Sequence, residues 1–138
     1  MKHLFIINPN CGKGISYERC AAGIVDAMNE MGITDYEIHV TEGAGDGYSY
    51  AKQQVDKGDH IRVYACGGDG TLFEVVNACA CKENAEVAAF PLGSGNDFIR
   101  IFLDSNRKLY ESCKIKTDVF IQFLHTYKLF QTRRLLEL

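Results

Sequence analysis

What the sequence lacks narrows its class first. No apolar run approaches the roughly 18 residues that a membrane-spanning helix needs. Met1-Lys2-His3 leads straight into apolar residues 4–7, a run too short for the core of a secretory signal. Basic charge is not in excess either: 15 Lys and Arg stand against 18 Asp and Glu, for a net charge of −3. That balance argues against a nucleic-acid-binding surface and against a strongly basic membrane patch. The six cysteines, Cys11, Cys20, Cys66, Cys79, Cys81 and Cys113, lack paired metal-site spacing. Only Cys79 and Cys81 are close, as a single Cys-x-Cys. Without a leader, the expectation is a cytoplasmic protein whose reduced thiols pack as small apolar side chains. His3, His39, His60 and His125 are scattered, and read as structural or solvated. No Ser/His/Asp or Cys/His arrangement follows from residue order, and no Gly-Lys-Ser/Thr of a Walker A loop is present.

What is there suits one globular domain. The chain has 138 residues, of which 46% are hydrophobic. A domain near 150 residues buries about 70% of its unfolded surface, enough to stand alone. Strand and helix signals alternate along it. Residues 4–7 form an apolar run that ends at Asn8-Pro9, and Ser16 is a plausible helix N-cap with Arg19 three residues on. Residues 20–31 carry apolar side chains at helical spacing, stopped by Gly32. Residues 36–40 alternate like a strand, 43–47 form a loop, and 48–57 favour helix up to Gly58. Residues 61–66 are the next strand, 71–81 the next helix, 86–90 a fourth strand, and 96–102 begin another helix. The order β-α-β-α-β-α-β-α predicts a three-layer α/β/α fold with a mostly parallel sheet. Glycine-rich turns after Ile7, Cys66 and Phe90 then all leave carboxyl ends of strands, the edge where such sheets bind ligands.

Those turns carry the candidate chemistry. In Asn8-Pro9-Asn10-Cys11-Gly12-Lys13-Gly14, a turn enters a helix whose N-terminal amides attract phosphate, and Lys13 adds a point charge. An ordinary strand-to-helix turn is the plain alternative. In Gly67-Gly68-Asp69-Gly70-Thr71, clustered glycines let the backbone approach a ligand. Asp69 sits where it caps a helix, or meets a ribose hydroxyl or a hydrated Mg²⁺. Glu74 and Asn77 follow one and two turns on. Pro91-Leu92-Gly93-Ser94-Gly95-Asn96-Asp97-Phe98 lacks the third glycine of a dinucleotide fingerprint, and alone reads as a turn with Asn96 or Asp97 as cap. Residues 41–47, with three glycines, Glu42 and Asp46, read either as a flap near a nucleotide or as a surface loop.

Together, NPNCGKG, GGDGTLFEVVNA and PLGSGNDFIR resemble the diacylglycerol kinase catalytic domain, over roughly residues 2–118. That family includes bacterial lipid kinases and sphingosine and ceramide kinases, and is similar in fold to NAD kinases and 6-phosphofructokinases. The resemblance implies ATP and Mg²⁺ in the crevice between the turns. It puts Asn8, Lys13, Gly14, Thr41, Gly67, Gly68, Gly70, Thr71, Glu74 and Asn96 at the nucleotide. It makes Asp69 and Asp97 catalytic, with Asp69 facing the metal or the transferred phosphoryl group. Phosphate would pass to a lipid hydroxyl, such as that of diacylglycerol, at a membrane surface. Such kinases usually run to about twice this length, and a second, β-rich domain supplies a general-base Asp and a wall of the lipid cleft. Residues 116–120 resemble the strand leading into that domain, whereas the tail at 119–138 matches nothing in the family. The expectation is an ATP-binding domain that transfers phosphate poorly unaided. Two alternatives stand beside it. One is a NAD kinase relative, although here Asn96-Asp97 is adjacent where that family spaces the pair. The other is a non-catalytic nucleotide-binding module that homodimerises through Phe123, Leu124, Tyr127, Leu129 and Phe130.

Overall fold

The computed structural model describes residues 1–10, 16–92 and residue 97. The chain opens with β1 (Lys2–Ile7), whose Leu4, Phe5 and Ile6 are each fully buried. A continuous apolar run is what a strand covered on both faces requires. Helix α1 (Tyr17–Glu30) follows, and the Ser16 hydroxyl caps it by accepting the Arg19 N–H at 3.3 Å. Strand β2 (Tyr36–Val40), helix α2 (Asp46–Val55), strand β3 (Ile61–Gly67), helix α3 (Asp69–Cys79) and strand β4 (Ala85–Pro91) complete the described elements. The strands are parallel and lie in the order β2-β1-β3-β4.

Alternate side chains along the strands build two cores. Leu4 and Ile6 face one side with Ile61, Val63 and Ala65, and are covered by α2 and α3 through Ala51, Val55, Leu72 and Val75. Phe5 and Ile7 face the other side with Tyr64, Cys66, Ala88 and Phe90, under Cys20, Ile24 and Met28 of α1. The three-layer α/β/α fold read from the sequence is therefore present. Gly32 and Gly58 stop α1 and α2 with φ of 66° and 89°, left-handed conformations that glycine adopts without penalty.

Some element ends differ from the sequence reading. The N-cap of α3 is Gly68, so Asp69 is not the cap but lies in the first turn, where a carboxylate suits the helix dipole. That helix stops at Cys79 instead of 81, because Ala80 turns to ψ 133° and Cys81 takes φ 59°. Helix α2 begins at Asp46, inside the segment read as loop. Strand β2, read as alternating, is half-buried throughout, as befits an edge among the described strands. Cys20, Cys66 and Cys79 are free and buried, in keeping with the apolar role expected of them. Burial pushes the Cys20 and Cys79 thiols up to about 11 and Cys66 further still. Among the described residues no helix is long and apolar enough to cross a membrane. The helix expected from 96 and the tail at 119–138, with its dimer interface, lie outside the described residues, apart from helical Asp97.

Candidate functional site

The chain leaves β1 toward β2 on one side and then returns to β3 on the other side of β1. The carboxyl ends of β1 and β3 therefore flank a topological switch point, the position where open α/β sheets bind ligands. Backbone pairing continues past the strands at this edge. Asn8 N–H donates to Cys66 O at 3.1 Å, Thr41 N–H to Ile7 O at 2.8 Å, and Leu92 N–H to Gly67 O at 3.0 Å. The residues after β1, β2, β3 and β4 thus form one continuous rim. Asn8 also folds its turn locally, as its side-chain oxygen accepts the Asn10 N–H at 3.0 Å.

The glycines of the second turn serve different purposes. A Cβ on Gly67 would stand 2.2 Å from Thr71 Oγ1 and 2.7 Å from Thr71 Cβ. Gly67 is thus demanded by the fold, which turns the buried Thr71 back under the end of β3. A Cβ on Gly70 would meet nothing within 4 Å among the described residues, and its φ is not in the left-handed region. A glycine inside a helix costs roughly 0.5–1 kcal/mol relative to Ala. At Gly70, on the exposed first turn of α3, part of that cost applies, and neither packing among the described residues nor backbone angle accounts for the glycine. It leaves helix N-terminal amides open to close approach, the property a phosphate site uses.

Asp69 joins two of the turns. One of its carboxylate oxygens accepts the Asp97 N–H at 3.0 Å, so residues 28 apart in sequence meet at the rim. Both aspartates are exposed. Among the described residues no group of three or more His, Cys, Asp or Glu stands ready to hold a metal alone. The exposed Asp69 carboxylate is the kind of single protein ligand that Mg²⁺ accepts beside water and substrate phosphate oxygens.

Thr41 and Glu74 complete the described part of the candidate set. Thr41 is half-buried at the start of the 41–47 loop, and its methyl would lie 3.5 Å from a Cβ on Gly47. Glu74 points from α3 to the N-terminus of α2. Its two oxygens accept the Gly45 N–H at 2.8 Å and the Tyr48 N–H at 3.2 Å. Within the loop, one Asp46 oxygen accepts the Glu42 N–H at 2.9 Å and lies 2.9 Å from His39 Nε2. These contacts, the backbone bond first, hold the Asp46 carboxyl below the usual carboxylate range. His39 in turn stacks on Tyr50, with ring centroids 3.7 Å apart. Asn8, Thr41, Gly67, Gly68, Asp69, Gly70, Thr71 and Asp97 share one edge, with Glu74 set back behind the loop. Lys13, Gly14 and Asn96 lie outside the described residues. The sequence reading passed over Gly47 as a partner for Glu74. Only its place among three loop glycines hinted that one of them has a packing role.

A doubly wound sheet with an open glycine turn and exposed aspartates at its switch point has the layout of a ligand-binding α/β domain. Comparison with known proteins makes the class specific. The family model for the diacylglycerol kinase catalytic domain matches residues 2–121, and the chain belongs to that family. It is 31% identical over 103 residues to sphingosine kinase 1 of Caenorhabditis elegans, covering 70% of this chain and 22% of that protein. It is 33% identical over 96 residues to a diacylglycerol kinase of Bacillus subtilis (strain 168), covering 69% of this chain and 31% of the relative. Among solved structures, a diacylglycerol kinase from Bacillus anthracis str. Sterne superposes with a TM-score of 0.59 at 36% identity, over 72% of this chain and 33% of that one. The matched region thus spans under a third of the curated relatives' length.

Proposed function

We infer that this chain binds ATP·Mg²⁺ at the carboxyl edge of its sheet, as the nucleotide-binding domain of a lipid kinase. The observation that carries the reading is Gly70, an unexplained helical glycine beside the Asp69–Asp97 bond at the switch point. Membership of the family supports the reaction class proposed here, transfer of the ATP γ-phosphate to a lipid hydroxyl such as that of diacylglycerol. The first-turn amides of α3 would receive phosphate, and Gly67 and Thr71 would fix the direction in which they point. Asp69 would hold the metal from the protein side, with one oxygen kept in place by the Asp97 N–H. When bound, Mg²⁺ offsets negative charge on the phosphates, and phosphoryl transfer depends chiefly on such neutralisation and on positioning. We assign no proton acceptor for the lipid hydroxyl to the described residues.

The matched region spans 22–31% of these relatives, so transfer by the 138-residue chain alone should be weak. The test is calorimetric titration of ATP·Mg²⁺ into the purified chain, followed by an assay with diacylglycerol in mixed micelles. Saturable binding with little or no transfer is expected. No binding up to millimolar ATP would defeat the nucleotide reading, and robust transfer would defeat the claim of weak activity. Including NAD as acceptor separates a lipid kinase from the NAD kinase alternative.

A further inference from the structure

We propose that Glu74 is a positioning residue that acts through the N-terminus of α2 to fix the 41–47 loop beside the nucleotide edge. The proposal rests on the reading above for its functional consequence, but not for its structural one. Three observations carry it. Helix α2 has Gly45 as N-cap, and no side chain of its own segment caps it. Its first-turn amides are instead received by Glu74, reaching over from α3 to the Gly45 and Tyr48 N–H groups. Room for that carboxylate comes from a missing side chain: a Cβ on Gly47 would stand 2.7 Å from Glu74 Oε2 and 3.2 Å from Ile6 Cγ2. A carboxylate at a helix N-terminus meets both the orphan N–H groups and the positive end of the dipole.

The consequence runs from α3 to the loop. Glu74 lies on the helix that begins with the Asp69-Gly70-Thr71 turn. Its grip on Gly45 and Tyr48 brackets Gly47, which lies against Thr41 and Ile6. Asp46 closes the same loop from inside through the Glu42 N–H. Two elements of the rim, the turn after β3 and the loop after β2, are therefore joined by one side chain. Because Glu74 accepts the Gly45 and Tyr48 N–H groups, those two amides are not open to an incoming phosphate. Glu74 then acts on the position of Thr41 through Gly47 and the loop, apart from any direct contact with the nucleotide.

A double-mutant cycle tests this. Glu74→Ala removes the cap, and Gly47→Ala pushes the carboxylate out of its seat. Glu74→Gln retains one oxygen and should keep part of the effect. Hydrogen exchange at the Gly45 and Tyr48 amides, with ATP·Mg²⁺ affinity and thermal melting alongside, gives the readouts. Hydrogen bonds to a charged group are worth roughly tenfold or more in an opening equilibrium, so Glu74→Ala should speed exchange at both amides about tenfold. It should weaken ATP binding by a similar factor while the Asp69–Thr71 amides keep their protection. In exchange at Gly45 and Tyr48 the double variant should be no worse than Glu74→Ala, since both changes remove one interaction there, while the 3.2 Å approach to Ile6 adds its own cost in melting. Unchanged protection at Gly45 and Tyr48, or additive losses of that protection in the double variant, would overturn the proposal. Lost protection with ATP affinity unchanged would overturn the positioning role. Should the wild type bind no ATP, the nucleotide reading fails, and the exchange cycle still decides whether Glu74 holds the loop.

Discussion

The two ends of the sheet treat polar groups in opposite ways. At the amino end, below α1, polar side chains are sealed in mutual contact. His3 is buried, with Nδ1 2.9 Å from the Tyr64 hydroxyl. Beside them Arg62 reaches Glu86 at 2.8 Å and 2.9 Å through two of its nitrogens. Phe5 and Tyr64 stack with centroids 4.2 Å apart, closing the cluster against the core. At the carboxyl end, Asp69 and Asp97 are exposed and Gly70 opens the backbone. Burial of a polar group must be compensated by partners, so the amino end is a feature of stability. Exposed carboxylates beside an uncrowded helix start contribute little to stability and leave room for a ligand. One parallel sheet thus separates its buried, paired polar groups from its exposed carboxylates along the strand axis.

That comparison can be broken, starting with the largest effects. Arg62→Met should destabilise the domain by about 3 kcal/mol, because Glu86 would keep a mostly buried charge without its guanidinium. Denaturant unfolding reads this, and ATP affinity below the transition should not change. Gly67→Ala should cost about 2 kcal/mol, since its Cβ would collide with Thr71 at the end of β3. Here stability and nucleotide binding should fall together.

Acid should act first on the amino end. Burial, then the Arg62 charge, holds the His3 ring below its ordinary pKa of 6.5. The unfolded chain therefore binds more protons than the folded one between 6.5 and the lowered value. Stability is full above pH 6.5 and falls as pH drops from there toward the folded pKa. Melting temperatures measured from pH 7.5 to 5 should show this decline, and His3→Gln should flatten it. The smallest effect on stability is expected at Asp69→Asn. The amide oxygen can still accept the Asp97 N–H, so stability should stay within about 0.5 kcal/mol of wild type. The Mg²⁺ dependence of ATP affinity should fall in this variant.

Much of this was legible in the sequence where the signal is local. The apolar run of β1 and the glycine stops of α1 and α2 follow from periodicity and backbone preference alone. The strand-to-turn order alone places Asn8, Asp69 and Asp97 on one edge. The remainder depends on contacts between residues distant in the chain. Glu74 meets Gly45 across 29 residues, and nothing in either segment announces it. Gly67 and Gly70 look alike in the sequence, yet packing among the described residues demands only Gly67. His3 and Arg62 read as ordinary polar residues until parallel pairing sets them side by side.

The most direct test of the central claim is titration of ATP·Mg²⁺ into the wild-type chain and a Gly70→Ala variant, with melting curves of both. Replacing Gly70 by alanine, whose Cβ would meet no described atom within 4 Å, should leave stability equal or raise it by at most roughly 0.5–1 kcal/mol. The account predicts that this equally or more stable variant binds ATP at least about tenfold more weakly than wild type. Equal binding by the two proteins, or no binding by either, would contradict it.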